Sequence, residues 1–134
     1  MRKILPSNKV YIGKSKLQNA GRGIFANRNI KKGEIIETCP TIEIPDHELS
    51  HIENSVVVTY IFFAGKNKEK IVLALGFGAI YNHSYSPNAT YKVNLNSKTI
   101  GFIALANIQK DAEITFNYYH TSQKIKQHPL WFEV

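Results

Sequence analysis

Short runs of β-branched, aromatic and other apolar residues recur along this chain at 23–26, 35–44, 56–63, 71–75, 89–95, 99–106 and 113–116, with turn residues between them. Each run has the length of a strand rather than of a typical helix. Gly65-Lys66-Asn67-Lys68 and Asn96-Ser97-Lys98 supply the Gly, Asn and Ser that tight hairpin connections use. Only 45–53 reads as helix, because it opens with Pro45 and Asp46 and carries acidic residues early. The pattern predicts a mainly β fold with little helix. No linker or low-complexity stretch divides it.

Two turns echo each other. Asn29-Ile30-Lys31-Lys32-Gly33-Glu34-Ile35 matches Asn107-Ile108-Gln109-Lys110-Asp111-Ala112-Glu113-Ile114 with one residue inserted. Each follows an apolar run and reads as a polar turn into the next strand. A single echo is no solenoid, which needs at least three stacked units. It fits a small β fold that uses one hairpin device twice, or a chance likeness between two ordinary turns.

Composition acts mainly by exclusion. A chain of 134 residues, 43% hydrophobic and 20% charged, suits one globular domain with a real core rather than disorder. No apolar run approaches the roughly 20 residues of a membrane span, and the first residues carry no secretory signal. One cysteine rules out an internal disulfide and any four-cysteine zinc cluster. The expectation is an intracellular protein, cytoplasmic or, if viral, in a host nucleus. Charge is unevenly spread: residues 1–32 hold nine basic and no acidic residues, while the remainder is −2, giving +7 overall. Such a segment is a solvated basic face or a surface for nucleic-acid phosphates or an acidic partner.

His47-Glu48-Leu49-Ser50-His51 is a literal H-E-x-x-H. On a helix it would turn two imidazoles to one face for zinc, with Glu48 as general base. The setting argues against that use. About two helical turns fit between Pro45 and the apolar run at 56, a third ligand is also needed, and Glu69 stands in a polar turn with no obvious way back. No metal ligand is assigned, and a zinc protease stays a remote alternative.

A second constellation is spread along the chain. It comprises Ala20-Gly21-Arg22-Gly23-Ile24-Phe25-Ala26, then Tyr81-Asn82-His83-Ser84 followed by Pro87-Asn88-Ala89-Thr90-Tyr91. Glu113-Ile114-Thr115-Phe116-Asn117-Tyr118 and a tail with Leu130-Trp131-Phe132 complete it. Singly, each piece is a tight turn, a polar loop or ordinary aromatic packing. Together, from about Val10 to Phe132, they resemble the SET domain of protein-lysine methyltransferases, and most closely its minimal viral and bacterial members. The resemblance implies a β-clip-like fold of small sheets with a C-terminal pseudoknot. One domain would cover 1–134, with the basic segment inside it and a tail at about 119–134.

The resemblance also implies methyl transfer from S-adenosylmethionine to a lysine ε-amine, with S-adenosylhomocysteine as product and no metal. Tyr118 falls on the catalytic tyrosine, Tyr91 on an aromatic that governs how many methyls are added, and Tyr60 on the cofactor or lysine channel. Gly21, Arg22 and Gly23 would bring main chain close to the methionine end of the cofactor. Asn82 and His83 would hydrogen-bond it, and Trp131 would pack on the adenine. Cys39 stands where many members carry an aromatic, and is read as a small buried hydrophobe or a roomier channel wall. The implied partner is a histone or another basic protein carrying the target lysine, with no membrane. Nucleic acid at residues 1–32 and a small homodimer are left open. The alternative is a catalytically silent SET scaffold that binds nucleic acid or an acidic partner.

Overall fold

A computed structural model describes residues 3–17, 19–67 and 69–118. Its strands are β1 (Val10–Lys14), β2 (Arg22–Ala26), β3 (Ile35–Ile44), β4 (Ile61–Ala64), β5 (Lys70–Ala74), β6 (Asn82–His83), β7 (Ala89–Asn94), β8 (Thr99–Ala104) and β9 (Glu113–Phe116). They form a four-stranded sheet ordered β1-β2-β9-β6 and a five-stranded sheet ordered β4-β5-β3-β8-β7. The mainly β expectation holds. Both expected hairpins are present, joining β4 to β5 and β7 to β8 in antiparallel register.

The long strand β3 organises the larger sheet. Its first half pairs with β8 and its second half with β5, with a bulge between Ile35 and Glu37. Such a bulge adds local twist at the start of the strand, while the change of partner falls between Pro40, opposite Thr99, and Thr41, opposite Ala74. Phe116 at the end of β9 ties the two sheets together. Its ring lies 5.7 Å from Phe62, 5.1 Å from Tyr91, 5.5 Å from Phe102 and 5.0 Å from Tyr118. Stacked, edge and tilted contacts at these distances suit aromatic rings, and burial of so large a cluster anchors the two sheets to each other.

One expectation needs correction. The run 56–63 is not a single strand: Val56–Tyr60 is a 3-10 helix, and only from Ile61 does β4 begin. Val56 is exposed and none of the five 3-10 residues is buried, so no sheet face claims their β-branched side chains. The helix expected over 45–53 is a 3-10 turn at Asp46–Glu48 running into α1 (Leu49–Ile52).

The echoed turns meet in space. Ile30 and Ile108 form an isolated antiparallel bridge, exchanging backbone hydrogen bonds of 2.8 and 2.7 Å. Asn29 Oδ1 accepts from the Lys110 N–H at 2.8 Å, and Asn107 Oδ1 accepts from the Lys32 N–H at 2.9 Å. Gly33 and Asp111, equivalent in the echo, both take positive φ, 86° and 71°. Gly33 donates to Ala104 while Ala104 donates to Glu34; Asp111 donates to Ala26 while Ala26 donates to Ala112. The likeness is therefore a local two-fold arrangement in which each turn caps the other.

Candidate active site

β6 is two residues long, yet it sets the site. It runs parallel to β9, pairing Asn82 with Thr115 and His83 with Phe116. On the other edge of β9 lies β2. The Asn88 side chain extends the grip by accepting from Thr115 N–H and donating to the Glu113 carbonyl, both at 2.9 Å. The segment 82–88 thus wraps the strand that leads to Tyr118. Residues 119–134, with the rest of the expected pseudoknot and Trp131, lie outside the described residues.

A cleft enclosing about 240 Å³ opens at this junction. Gly21, Arg22, Tyr60, Tyr81, Asn82 and Tyr118 line it, with Ala20, Ala79 and Ile80. The structure therefore gathers five of the residues singled out in the sequence, Gly21, Arg22, Tyr60, Asn82 and Tyr118, drawn from four distant segments. Tyr118 is held at three points. Its hydroxyl donates to the Tyr81 carbonyl at 2.9 Å, its N–H donates to His83 Nδ1 at 3.0 Å, and its carbonyl accepts from the Tyr91 hydroxyl at 3.1 Å.

His83 and Tyr91 thus support Tyr118 from behind and do not line the cleft. His83 is fully buried, and that desolvation lowers its pKa to about 4, so the ring is neutral at pH 7. Because Nδ1 accepts from Tyr118, the ring proton sits on Nε2. Burial likewise pushes the Tyr91 phenol upward, keeping it a hydrogen-bond donor.

The two glycines of Gly21-Arg22-Gly23 are needed for different reasons. Gly21 has φ 75°, a left-handed conformation costly for other residues, and the space around its missing Cβ is open. At Gly23 the obstruction is the protein itself. A Cβ there would stand 2.8 Å from Asn82 Nδ2 and closer still to Glu113 Oε2. Gly23 does not line the cleft, and its space is taken by this side-chain pair rather than left open to a ligand.

The sequence did not single out that pair as a network. Glu113 Oε2 accepts from Asn82 Nδ2 at 2.8 Å, and Oε1 accepts from Ser15 Oγ at 2.8 Å. Asn82 Nδ2 also donates to the Arg22 carbonyl at 3.1 Å. Glu113 opens the last motif, which was the only available hint; Ser15 is 98 positions away and carries no signal. A second carboxylate, Glu37, is buried, whereas Glu113 is half-buried; Glu37 accepts from the Tyr81 hydroxyl at 2.7 Å. Cys39 is buried beside it, near Gly76 and Gly78. Burial first, and Glu37 second, push its thiol well above the usual range, so Cys39 is an inert core residue.

His47 and His51 are exposed, and the described residues contain no cluster of three metal-ligating side chains. Of the basic N-terminal segment, Lys9 and Arg28 pair with Glu34 at 2.9 and 3.0 Å. The hydrogen bond from Lys9 is the main reason the Glu34 carboxyl lies below its ordinary value.

Residues 21–119 match the SET domain family. The histone-lysine N-methyltransferase of Schizosaccharomyces pombe specific for H3 lysine-37 is 29% identical over 117 residues, covering 87% of this chain and 73% of that protein. Among solved structures, a Plasmodium falciparum protein assigned as a histone methyltransferase is 38% identical, with TM-score 0.70. That alignment covers 88% of this chain and 97% of the other. The ctPRC2 complex bound to S-adenosylmethionine aligns at TM-score 0.68 and 27% identity, over 85% of this chain but 15% of that one. The chain belongs to the SET domain family, whose members transfer methyl groups from S-adenosylmethionine to protein lysines. Its enzyme class is protein-lysine methyltransferase.

Proposed function

We propose that this chain methylates a lysine in a basic protein tail, a histone foremost, with S-adenosylmethionine held in the cleft beside Gly21, Arg22 and Asn82. The observation that carries the reading is the meeting of these residues with Tyr118 in one cleft. The chemistry of the lining fits the donor. Arg22 is a cation for a carboxylate, and Asn82 offers hydrogen bonding beside it. Histone methyltransferases among the similar proteins support the substrate class.

When bound, S-adenosylmethionine supplies a methyl already activated by its sulfonium. The chain must then deliver a neutral amine in line with that methyl. A lysine is charged at neutral pH, and partly dry walls such as Tyr60, Ile80 and Tyr118 favour its uncharged form by desolvation. Tyr118 orients the amine and the methyl group through its hydroxyl, fixed on the Tyr81 carbonyl. His83 and Tyr91 keep that ring in place by holding its backbone. Trp131 is assigned to the adenine, and the +9 segment directs a basic substrate to other faces of the molecule.

Incubation with radiolabelled S-adenosylmethionine and a panel of basic proteins including histone H3 tests the reading. Label should enter a lysine of one of them. Tyr118→Phe should retain S-adenosylhomocysteine binding while losing most turnover. No label on any protein, with no cofactor binding by calorimetry, defeats the proposal.

A further inference from the structure

An amide side chain presents an N–H₂ and an oxygen of nearly equal shape, so its function depends on which one faces the ligand. For Asn82 the surroundings decide. The residue is 1% exposed, and its Nδ2 donates to both the Glu113 carboxylate and the Arg22 carbonyl. A carboxylate only accepts. Turning the amide over would press Oδ1 against two acceptors at 2.8 and 3.1 Å, with solvent too scarce to relieve the repulsion.

The carboxylate is itself held. Ser15 Oγ donates to its other oxygen while accepting from Leu17 N–H, which fixes the direction of the hydroxyl proton. Gly23 leaves the room in which the pair meets. Glu113 does not line the cleft, whereas Asn82 does. Arg22 is the only charged side chain among the described lining residues. A cation beside a fixed acceptor is complementary to an amino-acid zwitterion, with its carboxylate on Arg22 and its ammonium on Asn82 Oδ1.

We infer that Glu113 is a positioning residue for the methyl donor: through Asn82, it makes the cleft accept the ammonium of the methionine end. The inference rests on the reading that this cleft takes S-adenosylmethionine. Calorimetry on the full chain separates the two, using S-adenosylhomocysteine and 5′-methylthioadenosine, which keeps the adenosine and thioether but has neither ammonium nor carboxylate. Glu113→Ala should weaken S-adenosylhomocysteine on the order of tenfold while 5′-methylthioadenosine changes by less than about twofold, as expected for one hydrogen bond to a charged group. Glu113→Gln should recover most of the loss, since its amide oxygen still accepts from Asn82 and its N–H₂ can donate to Ser15 Oγ. Ser15→Ala should show the same split to a smaller degree, and it decides the matter if Glu113→Ala does not fold. Equal losses for both ligands, or no loss for S-adenosylhomocysteine, overturn the inference. A wild-type protein that binds neither ligand overturns the donor-site reading instead.

Discussion

Adding one methyl group at position 23 should damage this protein out of proportion to its size. Gly23 lies inside β2, opposite Gly13 of β1, and the next residue pairs with Ile114 of β9. Backbone held on both edges cannot retreat from a new Cβ. The Glu113 carboxylate must move instead, breaking its bonds to Ser15 and Asn82. Hydrogen bonds to a charged group are each worth about 1.5–3 kcal/mol, and a carboxylate displaced toward water recovers roughly half, so Gly23→Ala should cost about 2–3 kcal/mol. For a chain of this length that is a fall in Tm of about 10 °C. Gly101→Ala is the control, because a Cβ there meets nothing within 4 Å. Thermal melts by circular dichroism, with S-adenosylhomocysteine titrations on both variants, make the comparison. If Gly23→Ala melts with the Gly101→Ala control and binds the ligand as wild type does, the crowding argument is wrong.

Tyr91→Phe should shift the product from mainly mono- and dimethyl-lysine toward trimethyl, since it frees the Tyr118 carbonyl and loosens the ring that confines the amine; trimethyl-lysine dominating early in the wild-type reaction would refute this by mass spectrometry. The buried neutral His83 has a folded-state pKa near 4, below its ordinary 6.5, so the unfolded chain binds more protons between these values. Its contribution, on the order of 3 kcal/mol, is complete above pH 6.5 and lost as pH falls toward 4. Denaturant titrations should therefore show a stability slope over that window that His83→Gln flattens; equal slopes would refute it. Chelators should leave activity intact. Stoichiometric zinc that disappears in His47→Ala would instead revive the H-E-x-x-H motif.

Antiparallel strands long enough to show a pattern were legible in the sequence, as β3, β7 and β8 illustrate. β1 was not: Val10-Tyr11-Ile12-Gly13-Lys14 sits in a lysine-rich stretch whose charge masks a short edge strand. β6 could not be seen by periodicity, because two residues have no period and their partner lies about thirty residues away. The 3-10 turn at Val56–Tyr60 misled through its β-branched side chains, whose preference no neighbouring sheet reinforces. Of the site, the residue types were legible from the motifs, and their convergence on one cleft follows the expected order. The supporting roles were not. His83 and Tyr91 hold the backbone of Tyr118, and Gly23 makes way for Glu113, because those tasks depend on neighbours far away in sequence.

The two mutually capped turns carry a consequence for how the chain reaches this state. Their side-chain bonds span 75 and 81 positions, so neither turn can be satisfied by anything made near it in time. Closing a loop of that size costs about 4 kcal/mol of chain entropy before the contacts return anything. β2 also waits for β9, which leaves its inner edge open while the intervening residues are made. During synthesis the β1–β2 pair could form locally but its partner β9 would still be missing, and completion of the fold would be one late event on the millisecond-to-second scale of non-local β topologies. Chains ending before residue 110 would have no stable partial fold to fall back on, and the exposed strand edges would make them targets for chaperones or aggregation.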